Sequence, residues 1–269
     1  MSTHAFLANP IWNSLVTEHA QLAQGDDRAR RYPPYVGPLS GIREPSPECY
    51  EALAPLAIET PVVLFDPAPI RPPDGWKILR RGPIVQMLRP AHATNLGDPV
   101  LAFMRSESST RSGAQSIEAD SLRPWLGDHE PGLRQLTPDD APAMVALAEL
   151  TEPGPFRLRT MELGNFYGIF HGDQLVSMAG KRLHLPGMTE VSGVCTHPDA
   201  RGRGYARKLM SIVIDEIERD GKQAFLHALA ENPAIRLYEQ LGFALSHEFD
   251  FAVLIHEAGS EASAQERIH

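Results

Sequence analysis

Val194-Cys-Thr-His-Pro-Asp-Ala-Arg-Gly-Arg-Gly-Tyr-Ala206 is the stretch on which the reading of this chain turns. Its β-branched start predicts a strand, Pro198 stops that strand, and the residues around Gly202 and Gly204 turn directly into a helix over 204–219. The helix has one apolar face, formed by Ala206, Leu209, Met210, Val213, Ile214 and Ile217 at spacings of three and four, which seats it on a sheet. Its first amides, at about Arg203 to Ala206, have no intrahelical partner, and the helix dipole adds partial positive charge there. Small residues at Gly202 and Gly204 let an anion approach the backbone, as phosphates do at other helix N-termini. Arg201, Arg203, Arg207 and Lys208 add four positive charges within eight residues. The half that contains them, residues 131–269, holds 13 basic and 19 acidic side chains, a net charge of −6. A localised basic spot on an acidic background suits a single phosphorylated ligand, although a plain loop with solvated arginines has the same composition. The turn is neither a Walker loop, since no Gly-Lys-Ser/Thr follows, nor a dinucleotide fingerprint, since a third glycine is missing at the required spacing.

Outward from the turn, residues 131–256 divide into distinct elements. Leu133–Leu136 reads as a strand, and Thr137-Pro-Asp-Asp140 opens a helix continued by Ala143, Met144, Leu147 and Leu150. A short helix is expected around Thr160–Leu163. Phe166–Phe170 and Leu175–Gly180 flank His171-Gly-Asp-Gln174 as a hairpin. Thr189–Thr196 and Ala224–Leu229 are strands, Asn232-Pro233 opens a helix ending at Leu241-Gly242, and Phe249–Ile255 is a closing strand. The order β-α-α-β-β-β-α-β-α-β predicts an α/β (α+β) fold with one mixed, mostly antiparallel central sheet, flanking helices and a β-α-β crossover in its middle.

Proline sets the other half apart: 17 of the 24 prolines fall in residues 1–131. Helices are expected over Pro10–Gln24, Pro47–Ala57 and Asp98–Glu107, a strand over Pro61–Phe65, and two short strands within Trp76–Leu88, broken at Gly82-Pro83. Ser106–Ser116 reads as a polar linker. The domain boundary is placed near Pro131, giving a Pro-rich α/β N-terminal region over 1–130, a second domain over 131–256 and a disordered tail over 257–269. No motif in the first half ties to chemistry.

Composition narrows the class. The chain has 269 residues, 42% of them apolar, with a net charge of −9, so a general nucleic-acid binder is disfavoured. Cys49 and Cys195 are too few for a disulfide scaffold or a four-cysteine zinc site, and no His/Cys/Asp/Glu grouping has metal spacing. No run approaches 18 apolar residues, and the N-terminus lacks a basic, then apolar leader, so no membrane partner is expected and a cytoplasmic location is.

Arg201-Gly-Arg-Gly-Tyr-Ala206 resembles the Arg/Gln-x-x-Gly-x-Gly/Ala signature of the GCN5-related N-acetyltransferases (GNAT). Ala230-Glu-Asn-Pro-Ala-Ile-Arg-Leu-Tyr-Glu-Gln-Leu-Gly-Phe243 resembles the family's second hallmark, with Ala234 one place early. Leu163-Gly-Asn-Phe-Tyr-Gly168 and Glu190-Val-Ser-Gly-Val-Cys-Thr-His-Pro198 are similar to the FR47-like branch. The resemblance covers about residues 131–256, and it also raises a degenerate second copy of the fold within 1–130. It implies acetyl-coenzyme A as cosubstrate, its pyrophosphate held by Arg201, Gly202, Arg203, Gly204, Tyr205 and Ala206. The pantetheine arm would lie between strands that run parallel and splay, along the backbone of Val194, Cys195 and Thr196. Asn232, a good helix cap in its own right, would also touch that arm.

By the same resemblance, Tyr238 directs its hydroxyl at the coenzyme sulfur and protonates the departing thiolate, its alternative being one more packed core residue. Glu190, at the start of the strand leading to the acyl site, is the candidate general base, directly or through water, and a solvated strand-end carboxylate is the alternative. Glu162 reads as surface, His197 as a loop imidazole, Cys195 as a small buried residue and His227 as a satisfied core histidine. The expectation is an acyl-coenzyme-A-dependent N-acyltransferase, with acetyl as the acyl group, acting on a primary amine of a small molecule or peptide by direct attack. Its rivals are a non-catalytic acyl-coenzyme-A-binding module and a nucleotide-binding oxidoreductase, the latter lacking an acidic ribose partner after the turn. No motif names the acceptor, and a homodimer is compatible with the sequence without being encoded in it.

Overall fold

Residues 3–90 and 132–257 are described by a computed structural model. The expected helix over Asp98–Glu107, the linker, the boundary at Pro131 and the tail beyond Glu257 lie outside them. Three short strands, β1 (Gln24–Gly25), β2 (Ala29–Arg31) and β3 (Ser40–Ile42), form a small antiparallel sheet. Eight more build the main sheet: β4 (Val62–Asp66), β5 (Trp76–Leu88), β6 (Leu133–Gln135), β7 (Phe166–His171), β8 (Gln174–Leu185), β9 (Met188–Thr196), β10 (Gln223–Leu229) and β11 (Ala244–His256). Their spatial order is β4-β11-β5-β10-β9-β8-β7-β6. Only β9 and β10 are parallel, joined by a helical crossover, and every other neighbouring pair is antiparallel. The mixed, mostly antiparallel sheet expected from the element order is what the chain forms.

Five α-helices accompany the sheets among the described residues: α1 (Pro10–Val16), α2 (Pro47–Leu53), α3 (Ala141–Thr151), α4 (Tyr205–Arg219) and α5 (Ile235–Gln240). The apolar face read for α4 is the face it buries: Leu209, Met210, Val213, Ile214 and Ile217 are all at most 1% exposed. Burying each such side chain contributes roughly 1.5–3 kcal/mol, which fixes the helix, and hence its N-terminus, against the sheet. Glu216 adds polar specificity, accepting from Asn165 Nδ2 (2.5 Å) and the Tyr167 hydroxyl (3.2 Å) and pairing with Lys181 Nζ (3.0 Å).

Several elements differ from their expected bounds. Trp76–Leu88 is one strand rather than two, with Pro83 inside it. The Pro83 carbonyl accepts from Ala230 N, so its ring nitrogen faces the same side, just past the last β10 pair at Ile84↔Leu229, where the ladder needs no donor. The helix expected over Pro10–Gln24 ends at Val16, because His19 turns inward to bond the Tyr32 hydroxyl (2.8 Å) and a 3-10 turn follows at Ala20–Leu22.

The sheet also crosses the division placed near residue 130. β4 and β5 come from the first half, and β11, from the end of the chain, lies between them and pairs with both. Among the described residues, the first half contributes two strands to a common sheet and forms the small β1–β3 sheet for itself. Its Leu7, Ile11 and Leu39 pack with Leu183, Met188 and Phe225 of the second half.

Candidate active site

The parallel pair β9–β10 is in register only at Met188–Glu190 with Gln223–Phe225, and beyond these residues the strands separate. A bulge in β9 accompanies the separation. Between Met178↔Cys195 and Gly180↔Ser192, β9 carries one more residue than β8, and Gly193 there has φ +61°. A Cβ on Gly193 would stand 2.7 Å from Phe166 Cε1, which leaves no room for a side chain. The opening between the strands forms part of a cleft of about 750 Å³.

Val194 lines this cleft. Cys195 and Thr196 turn their side chains elsewhere. The Cys195 thiol is buried and pushed up to about 12 by desolvation, so it is inert, while Ser177 Oγ bonds both the Cys195 carbonyl (3.0 Å) and Thr196 Oγ1 (2.8 Å).

At the end of β9 stands the glycine turn, outside the cleft walls. Gly202 (φ +76°) and Gly204 (φ +79°) both hold the left-handed conformation, and a Cβ at either would meet nothing within 4 Å. Gly204 is the N-cap of α4 and supplies no side-chain cap, and the Lys208 amide closes on the Gly204 carbonyl at 3.0 Å. The amides of Tyr205, Ala206 and Arg207 precede the first such bond, so they have no intrahelical acceptor and the helix dipole is uncapped. Arg201 and Arg203 are exposed beside them, whereas Arg207 is drawn to Gln240. The Tyr205 ring is buried, its hydroxyl 2.8 Å from His171 Nε2, so only its backbone faces the turn. Arrangement and charge fit an anion such as a pyrophosphate.

Asn232 and Tyr238 both line the cleft. Asn232 Oδ1 accepts from the Ala234 amide (2.9 Å), but the helix starts later than expected: its N-cap is Ala234, not Asn232, and regular α-helix begins at Ile235. Tyr238 is 6% exposed, and burial pushes its phenol up to about 12, so it remains a proton donor at neutral pH.

Glu190 is placed differently from either expectation. It is neither solvated nor free to take a proton: it is fully buried, and Arg182 grips it with Nε (2.8 Å) and Nη2 (2.7 Å). The Leu183 amide donates to the same carboxylate (3.2 Å), and His227 Nδ1 lies 2.7 Å away. Burial alone would raise the carboxyl, but Arg182 and His227 outweigh it and hold it down at about 2. A carboxylate so stabilised is a poor base, and it serves as the anchor of a polar chain. With His227 Nδ1–H donating to the Glu190 carboxylate, His227 Nε2 accepts from Gln86 Nε2 (3.1 Å). His227 is therefore the satisfied buried histidine expected, and it also lines the cleft. Glu162 is paired with Arg159, and His197 Nδ1 accepts from the Asp199 amide (3.2 Å), so both are local surface features.

The first half, without a motif, supplies one side of the cleft. Phe65 of β4 lies 5.1 Å, centroid to centroid, from the ring of His227 on β10, which requires the sheet to curl across the intervening strands. Arg31, Val63 and Arg80 line the same space. Residues 153–157 also line the cleft, and the residues just after them are tied to the first half by Arg159 N to the Tyr35 carbonyl (3.2 Å) and Thr160 Oγ1 to the Val36 carbonyl (2.7 Å). These wall residues were missed because they converge only through long-range pairing. Gly193 carried a local signal, a glycine inside an apolar strand run.

Comparisons with known proteins agree with this geometry. The family model described as FR47-like protein matches residues 166–251. Over 80 residues the chain is 38% identical to the mycothiol acetyltransferase of Brachybacterium faecium, a match covering 28% of this chain and 24% of that protein. The chain thus spans about a quarter of the length of that curated relative. A GNAT-family structure from Novosphingobium aromaticivorans is 33% identical, with a TM-score of 0.73 over 93% of this chain and 98% of that one. A GCN5-related N-acetyltransferase-like protein from Streptococcus suis shares the fold at 13% identity, with a TM-score of 0.51 over 86% and 82% of the two chains. With its splayed parallel strands and glycine turn, and with a relative matched along nearly its whole length, the chain belongs to the GNAT family of acetyltransferases, and its residues 166–251 are similar to the FR47-like model.

Proposed function

We propose that this chain is an acetyl-coenzyme-A-dependent N-acetyltransferase that acetylates a primary amine by direct attack on the thioester. The observation that carries this reading is the opening between β9 and β10, with the uncapped α4 N-terminus at the end of β9 and Tyr238 in the cleft wall. The amides of Tyr205, Ala206 and Arg207, with Arg201 and Arg203 beside them, would hold the coenzyme pyrophosphate. The β9 backbone from Val194 to Thr196 and the Asn232 amide would receive the pantetheine arm. Bound acetyl-coenzyme A supplies an activated acyl carbon and a thiolate leaving group.

The residues of the chain bind, orient and manage protons. Tyr238, protonated because it is buried, donates its hydroxyl proton toward the departing sulfur. Holding amine and thioester together in one cleft converts a bimolecular encounter into a positioned reaction. Deprotonation of the acceptor does not need Glu190. Arg31, Arg80 and Arg157 line the cleft together with Glu149 and Glu152; water in the cleft takes the proton that the attacking nitrogen loses, and Tyr238 regains its own from the same water.

The test is purified protein, acetyl-coenzyme A and a broad panel of primary amines, with thiol release as readout. Coenzyme binding without thiol release from any amine would support a binding module instead.

A further inference from the structure

Most apolar clusters of the chain lie under a helix. α4 and α5 supply Leu209, Met210 and Tyr238 to one, α1 supplies Ile11 and Leu15 to a second, α2 supplies Leu53 to a third and α3 supplies Met144 to a fourth. The cluster of Ile84, Phe249 and Phe251, with Phe65, Leu229 and Val253 packed against it, is built from β4, β5, β10 and β11 alone. No helix side chain joins it among the described residues. Phe65 and Val253 also border the cluster under α1, yet with Leu229 they keep part of their surface exposed. All three line the cleft, as do Ile84 and Phe251. Apolar surface left facing a cavity marks a place for a ligand.

Strand alternation says which ligand. Successive side chains of β10 point to opposite faces of the sheet. Leu226 and Ala228 join the cluster under α4, together with Tyr238. Leu229 joins the strand-only cluster, and the His227 ring packs against Phe65 (5.1 Å) and Phe249 (5.9 Å). The α4 N-terminus and Tyr238, the places of the coenzyme in the reading above, are thus on one face and the apolar wall is on the other, with the opening between β9 and β10 joining them. A thioester that reaches the opening from the Tyr238 side faces the wall, so the wall belongs to the acceptor. Charge does not interrupt it. Arg80, Arg157, Glu149 and Glu152 are exposed, and the buried Arg31 and Arg182 are bonded to other parts of the chain. Since about 750 Å³ must also admit the pantetheine end, the acceptor is small.

We propose that this wall is the acceptor site and that the acceptor is a primary amine with an apolar body, an alkylamine or aralkylamine, its nitrogen at the opening and its chain or ring on Phe65, Leu229 and Val253. This rests on the acetyltransferase reading above and adds the class of acceptor to it. The nitrogen bonds to the acetyl carbon, the carbon–sulfur bond breaks, Tyr238 gives its proton to the thiolate, and the proton lost by nitrogen returns to Tyr238 through water. The experiment is steady-state acetylation by the full chain with acetyl-coenzyme A of the straight-chain amines from ethylamine to hexylamine, whose basicity is nearly constant, and of phenethylamine, with ethanolamine and spermidine as polar comparisons. Each added methylene should raise kcat/KM about fourfold, mostly through KM, until the wall is filled. Val253→Thr puts a hydroxyl on the wall and should cut the advantage of hexylamine over ethylamine by about tenfold. A kcat/KM that stays level or falls along the series overturns the inference, and so does a gain from lengthening the acyl group of the thioester with none from lengthening the amine; in both cases the acetyltransferase reading stands. Thiol release from no amine counts against both. If Val253→Thr does not fold, the amine series on the unaltered protein decides alone.

Discussion

Tyr238 and Glu190 show how differently single residues yield to sequence reading. The neighbours of Tyr238 in the chain define its helix, but its role came from the family resemblance alone, since a tyrosine beside Leu237 and Leu241 otherwise reads as core; the structure places it among the residues that line the cleft. Tyr238→Phe removes one hydroxyl and keeps the ring, so melting temperature should barely move. Turnover should fall roughly tenfold to a hundredfold with KM little changed, as steady-state kinetics beside a melting curve will show. Glu190 was legible only as a carboxylate near the acyl site. Its partners Arg182 and His227 reach it through the β8–β9 and β9–β10 pairings, and no local pattern announces that both strands bring their polar groups to one buried point. Glu190→Gln should leave Arg182 buried without its counter-charge and cost about 3–5 kcal/mol of stability by denaturant titration. Folding lowers the Glu190 pKa from 4.5 to about 2, so its stabilisation is complete above 4.5 and is lost as pH falls toward 2. The acid limb of the stability profile should therefore be shallower in the Gln variant, and an unchanged limb would remove Glu190 from that role.

Among elements, α4 was read almost to the residue, since both its apolar face and its start at two glycines are local properties. Gly204→Val should separate binding from folding. Its Cβ meets nothing, so the fold survives, and forcing a β-branched residue to φ +79° costs roughly 1–3 kcal/mol. The side chain would stand over the open amides, and coenzyme A affinity by calorimetry should drop at least tenfold. Gly193 is constrained from the opposite direction. Gly193→Ala forces a Cβ against the Phe166 ring as well as straining the backbone, so it should lower the melting temperature and also weaken coenzyme A binding by closing the bulge. β5 was the element read least well, because Pro83 looks like a break when its neighbours are unknown and is harmless once β10 is seen to end beside it.

At the scale of the whole molecule, the two sequence halves are not separable bodies. Both hallmark motifs lie in the second half, yet β5 fills the position between β10 and β11, and β4 covers the other edge of β11. A fragment of residues 131–269 would lose the strand that joins β10 to β11 and would expose Phe249 and Phe251, buried in the whole chain. It should be poorly soluble and fail to bind coenzyme A, whereas mixing it with residues 1–130 should restore some binding, both checked by calorimetry. Strands were expected at Pro61–Phe65 and within Trp76–Leu88, but their place in a sheet shared with the second half was hidden, since composition records punctuation and says nothing of partners. The placement of β11 also bears on how the protein is made. A ribosome releases β4 and β5 long before it releases residues 244–256, the segment that pairs with both. Until that segment emerges, β4 has no strand partner in the main sheet and β5 can pair only with β10, so the nascent chain should depend on holding chaperones up to that point, and a stop codon just before residue 244 should abolish the whole fold rather than trim its end.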